Sequence, residues 1–292
     1  MIYWITVNYY STSLIERLIN SIPIQSEIDY RVIIVNNSPD DSSIYAIKDQ
    51  YRDSKSILIL DSPDNIGFGR ACNSGLNWVY QHNPQCLVWL INPDAYLIEN
   101  SLKQVVEFFQ NYPEISILGT LVDEPEGNPG FRGGKFNAKT GEIITEDYIT
   151  EISQANLPYI PMQWVSGCSL LINLKKFLDC PQFDPDYFLY YEDFDFCMRY
   201  GKQGHQIVLS SEIRVFHQAS AITSQNQPLK IQQSIYSYLL SLEKHTHFTV
   251  LGYRLLRISL VSILSLLHSP QTSLHKLRGV WLYCQRYNPL SK

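Results

Sequence analysis

Charge is scarce in this sequence. Asp, Glu, Lys and Arg make up 17% of the 292 residues, against 45% that are apolar. That balance excludes a disordered or solvating chain and indicates a globular protein with a sizeable core, one large domain or one domain with an appendage. The six cysteines, at 72, 86, 168, 180, 197 and 284, form no CxxC pair and no metal-like spacing. This argues against a disulfide scaffold or thiolate metal centre and for free, mostly buried thiols in a reducing cytoplasm. No basic n-region accompanies the opening Met1-Ile-Tyr-Trp-Ile-Thr-Val7, which reads as a strand and not as a secretory leader. Glycine-rich phosphate cradles are missing after that strand as well. Neither GxGxxG nor GxxxxGK[ST] follows Val7, which excludes the dinucleotide fold and the P-loop.

The charge that is present is unevenly placed. From Asn226 onward there are eight Lys or Arg and one acid, Glu243, giving +7, whereas the rest of the chain sums to −12. Nucleic acid is excluded as a partner for so acidic a body, while the basic tail suits an anionic membrane surface. Aromatics are abundant, with twenty Tyr and five Trp, a stock that serves cores, interfaces and sugar-stacking surfaces alike.

The first half alternates strands and helices. Apolar runs at 2–7, 31–35, 57–60 and 87–91 read as strands. Helical spacing at 13–22 and a helix passing through Trp78 and Val79 lie between them. This βαβ rhythm predicts a mostly parallel sheet with right-handed crossovers. The run Leu87-Val-Trp-Leu-Ile91 stops at Asn92-Pro93-Asp94, because Pro93 cannot donate to a ladder. Asp94 then stands beyond the carboxyl end of a central strand, where open α/β sheets bind ligands. A carboxylate there suits a hard divalent cation, and the cation a diphosphate; an ordinary turn residue is the other reading. Asn8-Tyr9-Tyr10 offers backbone and aromatic contacts to a nucleoside. The Gly67/Gly69 turn with Arg70 either touches phosphate oxygens or simply starts a helix.

Farther on, 101–111 reads as an amphipathic helix and 115–118 as a strand. The polar, glycine-bearing stretch 123–157 suggests a hairpin-containing or mobile excursion, a candidate lid. Trp164 precedes Gly167 in a strand beside a cleft, where it can stack on an acceptor sugar or fill the core. Glu192-Asp193 opens a helix after an aromatic run, with Asp195 one turn in as a structural acid. Acids in a first helical turn favour the dipole, but a partly desolvated Asp193 can also serve as general base. Short strands at 206–209 and 213–216 lead to His217, either a satisfied histidine or a metal ligand.

Taken in order, these pieces resemble the family-2 glycosyltransferases of the GT-A fold, especially the rhamnosyltransferase-like branch. The matching stretches are Val7-Asn8-Tyr9, Val35-Asn36-Asn37-Ser38, and Asn65-Ile-Gly67-Phe68 with Asn73 and Gly75. Leu90-Ile-Asn92-Pro93-Asp94, Trp164-Val-Ser166-Gly167-Cys168, Phe188-Leu-Tyr-Tyr-Glu192-Asp193-Phe-Asp195 and Arg214-Val-Phe-His217 complete the set. The resemblance covers residues 1 to about 222. It implies an α/β GT-A domain over 1–225 and an inverting transfer from a nucleotide sugar, dTDP-rhamnose or a UDP-sugar. The acceptor would be a glycan or lipid-linked saccharide in surface polysaccharide or O-antigen synthesis.

By the same resemblance, Val7, Asn8, Tyr9 and Asn36 flank the base, and Asn65, Gly67, Arg70, Asn73 and Asn92 join the donor site. Asp94, with His217, binds Mn2+ or Mg2+; Asp193 is the base, with Glu192 beside it; Trp164 and Gly167 face the acceptor. Two positions depart from the pattern: Asn36 replaces the usual base-contacting Asp, and Asn92 replaces the first carboxylate of DxD. Other readings are a sugar nucleotidyltransferase, disfavoured by the missing N-terminal glycine-rich loop, and a non-catalytic glycan-binding protein.

Residues 226–292 read as a helical, basic and apolar appendage, with a helix at 231–245 and a strongly apolar stretch at 248–267. The charge-free core of that stretch, 258–267, is ten residues, short of the roughly twenty a bilayer span needs. It is expected to lie at the inner face of the plasma membrane with Arg254, Arg257, Lys276 and Arg278 toward lipid phosphates, or to pack on the domain or on a second copy in a homodimer.

Overall fold

The computed structural model describes residues 1–22, 28–51, 56–98, 100–124, 130, 133–145, 157–218 and 227–286. Strands β1 (Ile2–Asn8), β2 (Tyr30–Asn36), β3 (Ile57–Asp61) and β4 (Leu87–Ile91) are joined through helices α1 (Thr12–Asn20), α2 (Tyr45–Gln50) and α3 (Phe68–His82). They lie in the order β3-β2-β1-β4 and are all parallel. The order reverses at β1, whose two neighbours leave in opposite directions, so a crevice opens at the carboxyl ends of β1 and β4.

The second half of the sheet is mixed. After β5 (Ala95–Leu97) and α4 (Ser101–Asn111) come β6 (Ile117–Asp123), a hairpin of β7 (Gly133–Asn137) and β8 (Glu142–Ile144), then β9 (Tyr159–Pro161), β10 (Trp164–Val165) and β11 (Ser169–Asn173). Helix α5 (Glu192–Lys202) and β12 (Ile207–His217) follow. The sheet continues β4-β11-β6-β12-β5, with β11 antiparallel to both neighbours, while β7, β8 and β10 form a small separate sheet. The sequence divides 206–216 into two strands. They are one strand here, with a register shift between Leu209 and Arg214 as it follows β6. A bulge bends a strand without ending it. Of the 123–157 excursion, the hairpin is described; residues 125–129, 131–132 and 146–156, on which the lid expectation falls, lie outside the described residues.

Both faces of the sheet are covered. Alternation along β1 sends Tyr3, Ile5 and Val7 to one core and Ile2 and Trp4 to the other. The first core holds α3 and α5, the second α1 and α4. Helix α3 lies so close to β1 that a Cβ at Gly75 would stand 2.7 Å from the Ile5 side chain. The C-terminal helices are α6 (Gln227–His245), α7 (Phe248–Leu264) and α8 (Pro270–Gln285). Leu239, Leu240 and Leu242 of α6 are wholly buried in the core shared with α3 and α5, so the appendage is seated in the domain from its first helix.

Candidate active site

At the carboxyl edge of the parallel strands, Asn8, Asn36 and Asp61 stand in register on β1, β2 and β3. Asn8 is fully buried and its amide is saturated. Its Nδ2 donates to Asn36 Oδ1 and Ser38 Oγ, and its Oδ1 accepts from the amide and hydroxyl of Ser11. Asn36, equally buried, donates from Nδ2 to Asp61 Oδ1 at 3.0 Å, and Tyr45 donates to the same oxygen at 2.6 Å. Asn8 and Asn36 therefore build the floor and do not reach a ligand directly. The exposed carboxylate at this edge is Asp61, which sequence reasoning missed. It does carry a signal, since it ends the apolar run Ile57–Asp61 as Asn8 and Asn36 end theirs. The Val7 side chain belongs to the core, whereas Tyr9 and Tyr10 are exposed and meet edge-on at 5.0 Å.

The start of α3 is bound to the segment before α5 more than it is open to a ligand. Gly67 has φ +84°, and a Cβ there would come within 2.3 Å of the Phe188 carbonyl oxygen. The next amide, Phe68 N–H, donates to that same oxygen. Asn73 spends both ends of its amide on the Phe183 backbone, at 2.8 and 2.7 Å. Arg70 donates from Nε to the Pro185 carbonyl, and Asn65 Oδ1 accepts from Asn37 and from the Gly67 amide. The phosphate contacts expected of Gly67 and Asn73 are corrected accordingly: both hold two chain segments together. Arg70 keeps an exposed guanidinium at the rim.

Asp94 follows β4 in a turn closed by Ala95 N–H donating to the Asn92 carbonyl, and only 7% of it is exposed. The last residue of β12, His217, pairs with Ala95 across the ladder and brings its Nε2 to 3.1 Å from Asp94 Oδ1. Burial alone would keep the His217 ring neutral. Hydrogen bonds to Asp94 and Cys168 outweigh it and raise the ring to about 10. Burial pushes the Cys168 thiol up, so it stays protonated despite His217. Among the described residues no group of three His, Cys, Asp or Glu is arranged to hold a metal. A carboxylate and an imidazole side by side nevertheless fit a divalent cation, which would displace the ring proton of His217 on binding.

The second acidic centre opens α5. Tyr190 and Tyr191 both have positive φ, 68° and 64°, a conformation non-glycine residues rarely adopt. Ser237 of α6 donates to the Leu189 carbonyl and the Tyr191 ring packs against Tyr238, which holds this double kink in place. The kink turns the next two side chains apart. Glu192 goes toward α3, where it abuts Gly69, and its buried Oε2 has no hydrogen-bond partner among the described residues. Burial and the adjacent Asp193 charge raise Glu192 to about 8. Asp193, half-buried, goes toward β10–β11 and accepts 2.7 Å hydrogen bonds from the Gly167 and Phe194 amides. Burial raises its carboxyl, and the two amides oppose the rise.

Gly167 owes its identity to this contact, because a Cβ would lie 3.0 Å from Asp193 Cβ. It is a positioning residue for Asp193, not the acceptor contact that the resemblance implies. Trp164 is likewise corrected: it is 2% exposed and packs edge-on against Phe194, so its faces are core. One turn into α5, Asp195 is completely buried. Burial disfavours its charge, but His245 at 2.9 Å and Arg199 at 2.6 Å outweigh that and hold its carboxyl below the usual range.

The two centres meet at two consecutive residues, Gly167 and Cys168. Gly167 N–H binds Asp193, and the Cys168 carbonyl accepts from Asn92 N–H at the end of β4, next to the turn carrying Asp94. The Asp94–His217 pair and a carboxylate of raised proton affinity thus flank a single strand start at the switch point of the sheet.

Comparison with known proteins agrees with this fold. The profile of the family described as Glycosyl transferase family 2 matches residues 3–177. The N-acetylglucosaminyl-diphospho-decaprenol L-rhamnosyltransferase of Mycobacterium tuberculosis is 25% identical over 240 residues, covering 76% of this chain and 77% of that protein. Among solved structures, GalNAc-T7 with UDP, GalNAc and Mn2+ superposes with a TM-score of 0.62 at 12% identity over 83% of this chain, which spans 47% of that protein's length. The mannosyltransferase PcManGT from Pyrobaculum calidifontis, with GDP-Man and Mn2+, gives 0.58 at 9% identity over 98% of this chain and 88% of that one. Both structural likenesses are likenesses of fold.

Proposed function

The chain belongs to glycosyl transferase family 2 and has the GT-A fold, and from that premise we propose an inverting, metal-dependent sugar transfer with Asp193 as the base. The donor is a nucleotide sugar, dTDP-rhamnose or a UDP-sugar. The acceptor is a hydroxyl of a glycan or a lipid-linked saccharide; the rhamnosyltransferase relative, named for a diphospho-decaprenol acceptor, favours the lipid-linked form. The observation that carries the reading is the approach of Asp193 and of the turn bearing Asp94 to the adjacent residues Gly167 and Cys168.

Asp193 takes the proton of the acceptor hydroxyl as that oxygen attacks the anomeric carbon from the face opposite the diphosphate, inverting it. The carbon–oxygen bond to the diphosphate breaks, and the nucleoside diphosphate leaves with the bonding pair. Gly167 and Phe194 amides aim the Asp193 carboxylate, while its desolvation raises its appetite for the proton. Mn2+ or Mg2+ held by Asp94 and His217 would neutralise charge on the departing diphosphate. Asp61, Tyr9 and Tyr10 form the rim against which the nucleoside is placed.

The work is expected on the cytoplasmic side, in surface polysaccharide or O-antigen assembly, with the basic tail against an anionic membrane. Asp193→Asn tests the reading directly. Turnover of nucleotide sugar should collapse, while thermal stabilisation by nucleoside diphosphate with Mn2+ persists. Unchanged turnover removes Asp193 from its role.

A further inference from the structure

Helix α7 is apolar on the side that faces away from the domain as well as on the side that packs against it. Tyr253, Leu256, Leu260, Val261 and Leu264 recur at helical spacing along one side, and each is between 49% and 74% exposed. The opposite side packs Leu251, Leu255 and Ile258 on the core and also carries polar groups inward. Arg254 is 9% exposed, donates from Nε to the Thr140 carbonyl and pairs with Glu142, and Ser262 is buried. A water-facing helix is polar on its outer side, and an outward apolar stripe of this length marks an interaction face. The segment Phe248–Leu267 is long and apolar enough, by length and composition, to cross a bilayer. Its inner side is nevertheless fastened to the β7–β8 hairpin through Arg254, so the helix lies along the domain and presents only its outer side. Arg254, expected from the sequence to face lipid, is corrected here to a tether.

A polar cavity adjoins the stripe. It has a volume of about 510 Å³ and is lined by Lys139, Thr140, Thr249, Arg254 and Arg257, with Glu142 across from Arg254. Lys139 and Arg257 have no carboxylate partner among the described residues and are exposed. Tyr253 and Arg257 also line the apolar groove of about 250 Å³ that runs on between Leu256, Leu260, Val261 and Leu264. A cationic chamber opening into an apolar trough matches an amphiphile with an anionic head.

We propose that this junction of the β7–β8 hairpin and α7 binds an anionic phospholipid of a leaflet surface, with its phosphate between Lys139 and Arg257 and an acyl chain along Leu256, Leu260 and Leu264. The proposal deepens the membrane-surface reading above, on which it rests, and is independent of the sugar-transfer chemistry. Charge complementarity selects this occupant. The tail from Asn226 carries +7, so a second copy docking through the same basic rim would be repelled, whereas an anionic leaflet is attracted. The site also reaches the catalytic helix. The Gly141 carbonyl at the hairpin tip accepts from Tyr238, whose ring touches Tyr191 beside Glu192. A chain seated there holds the cleft against the plane in which a lipid-linked acceptor displays its sugar.

The test uses the full chain and vesicle co-sedimentation without any nucleotide. Vesicles of phosphatidylcholine mixed with phosphatidylglycerol should bind the protein, salt should weaken binding, and pure phosphatidylcholine should bind far less. The double variant Lys139→Gln, Arg257→Gln should partition about thirtyfold more weakly, because two basic side chains no longer face the leaflet. Leu260→Ser, Leu264→Ser should weaken binding further. Neither variant should change the thermal midpoint or its shift with nucleoside diphosphate and Mn2+. Equal binding to both vesicle types, or binding indifferent to both variants, overturns the proposal. So does stabilisation by inorganic phosphate through Lys139 and Arg257 without vesicle binding, which would make this a free-phosphate site. A dimer by light scattering that Leu260→Ser, Leu264→Ser dissolves, with no vesicle binding, overturns it too. Failure of sugar transfer would leave the sedimentation result untouched, which keeps the two readings separable.

Discussion

Asp94 and Asp193 sit at the two ends of one short path, and the chain holds them by opposite means. Asp94 is paired with a side chain of opposite charge, since His217 keeps its proton to about 10. Asp193 has only uncharged partners, the amides of Gly167 and Phe194, and beside it Glu192 is raised to about 8 by burial. A carboxylate beside an imidazole is set for a metal, which would take the place of the ring proton. One held by amides in a desolvated turn is kept ready for a proton. The division of labour in the proposed reaction follows from that contrast in partners, because the two side chains are chemically the same.

Variants that treat the centres unequally test this contrast. The largest effect is expected for Asp193→Asn, which should lower kcat by about 10²–10⁴-fold with donor affinity nearly unchanged. Equal losses of donor binding and turnover would dissolve the contrast. His217→Ala should act on the other side, weakening Mn2+ affinity by about tenfold or more. Calorimetric titration with nucleoside diphosphate present measures it, and unchanged affinity would take His217 out of the site. Gly167→Ala presses a Cβ to 3.0 Å from Asp193 Cβ. Such overpacking costs about 1–3 kcal/mol in denaturant titrations and should lower kcat more than it raises KM.

The smallest effect concerns Glu192, whose folded form keeps a proton up to about 8 while the ordinary value is 4.5. Between those values the folded state binds the extra proton, so its contribution to stability falls as pH rises through that window. Glu192→Gln removes the slope. Its Tm should gain on the wild type progressively from pH 5 to 8 and level off above, and parallel Tm curves would show the carboxyl to be already ionised.

The parallel half of the sheet was legible because its signals are local. Unbroken apolar runs ending in Asn8, Asn36 and Asn92-Pro93-Asp94 mark strand and edge together. The positions that misled depend on partners far along the chain. Asn73 faces Phe183 rather than a phosphate because two segments 110 residues apart meet there. Trp164 is covered by Phe194, and Gly167 is needed by Asp193, neither of which spacing alone reveals. Asp61 is eclipsed in the sequence by the polar loop after β2, although Asn36 passes its hydrogen bond across to β3. Tyr190 and Tyr191 in left-handed conformations run against their own preference, and only the packing of α6 shows what maintains them.

The buried Asp195–His245 contact has a practical consequence for how the tail can be studied. It spans α5 and α6, and Lys202 adds a third member at 3.1 Å from the other ring nitrogen of His245. Cutting the chain before α6 would take from a fully interred carboxylate both its imidazole partner and the helix that covers it, leaving Arg199 as its partner. The helix presenting Asp193 would loosen with it, and an inactive truncated protein would then report on a broken brace instead of on lipids. Single-site replacements on the outer side of α7 leave the brace intact and are the cleaner instrument.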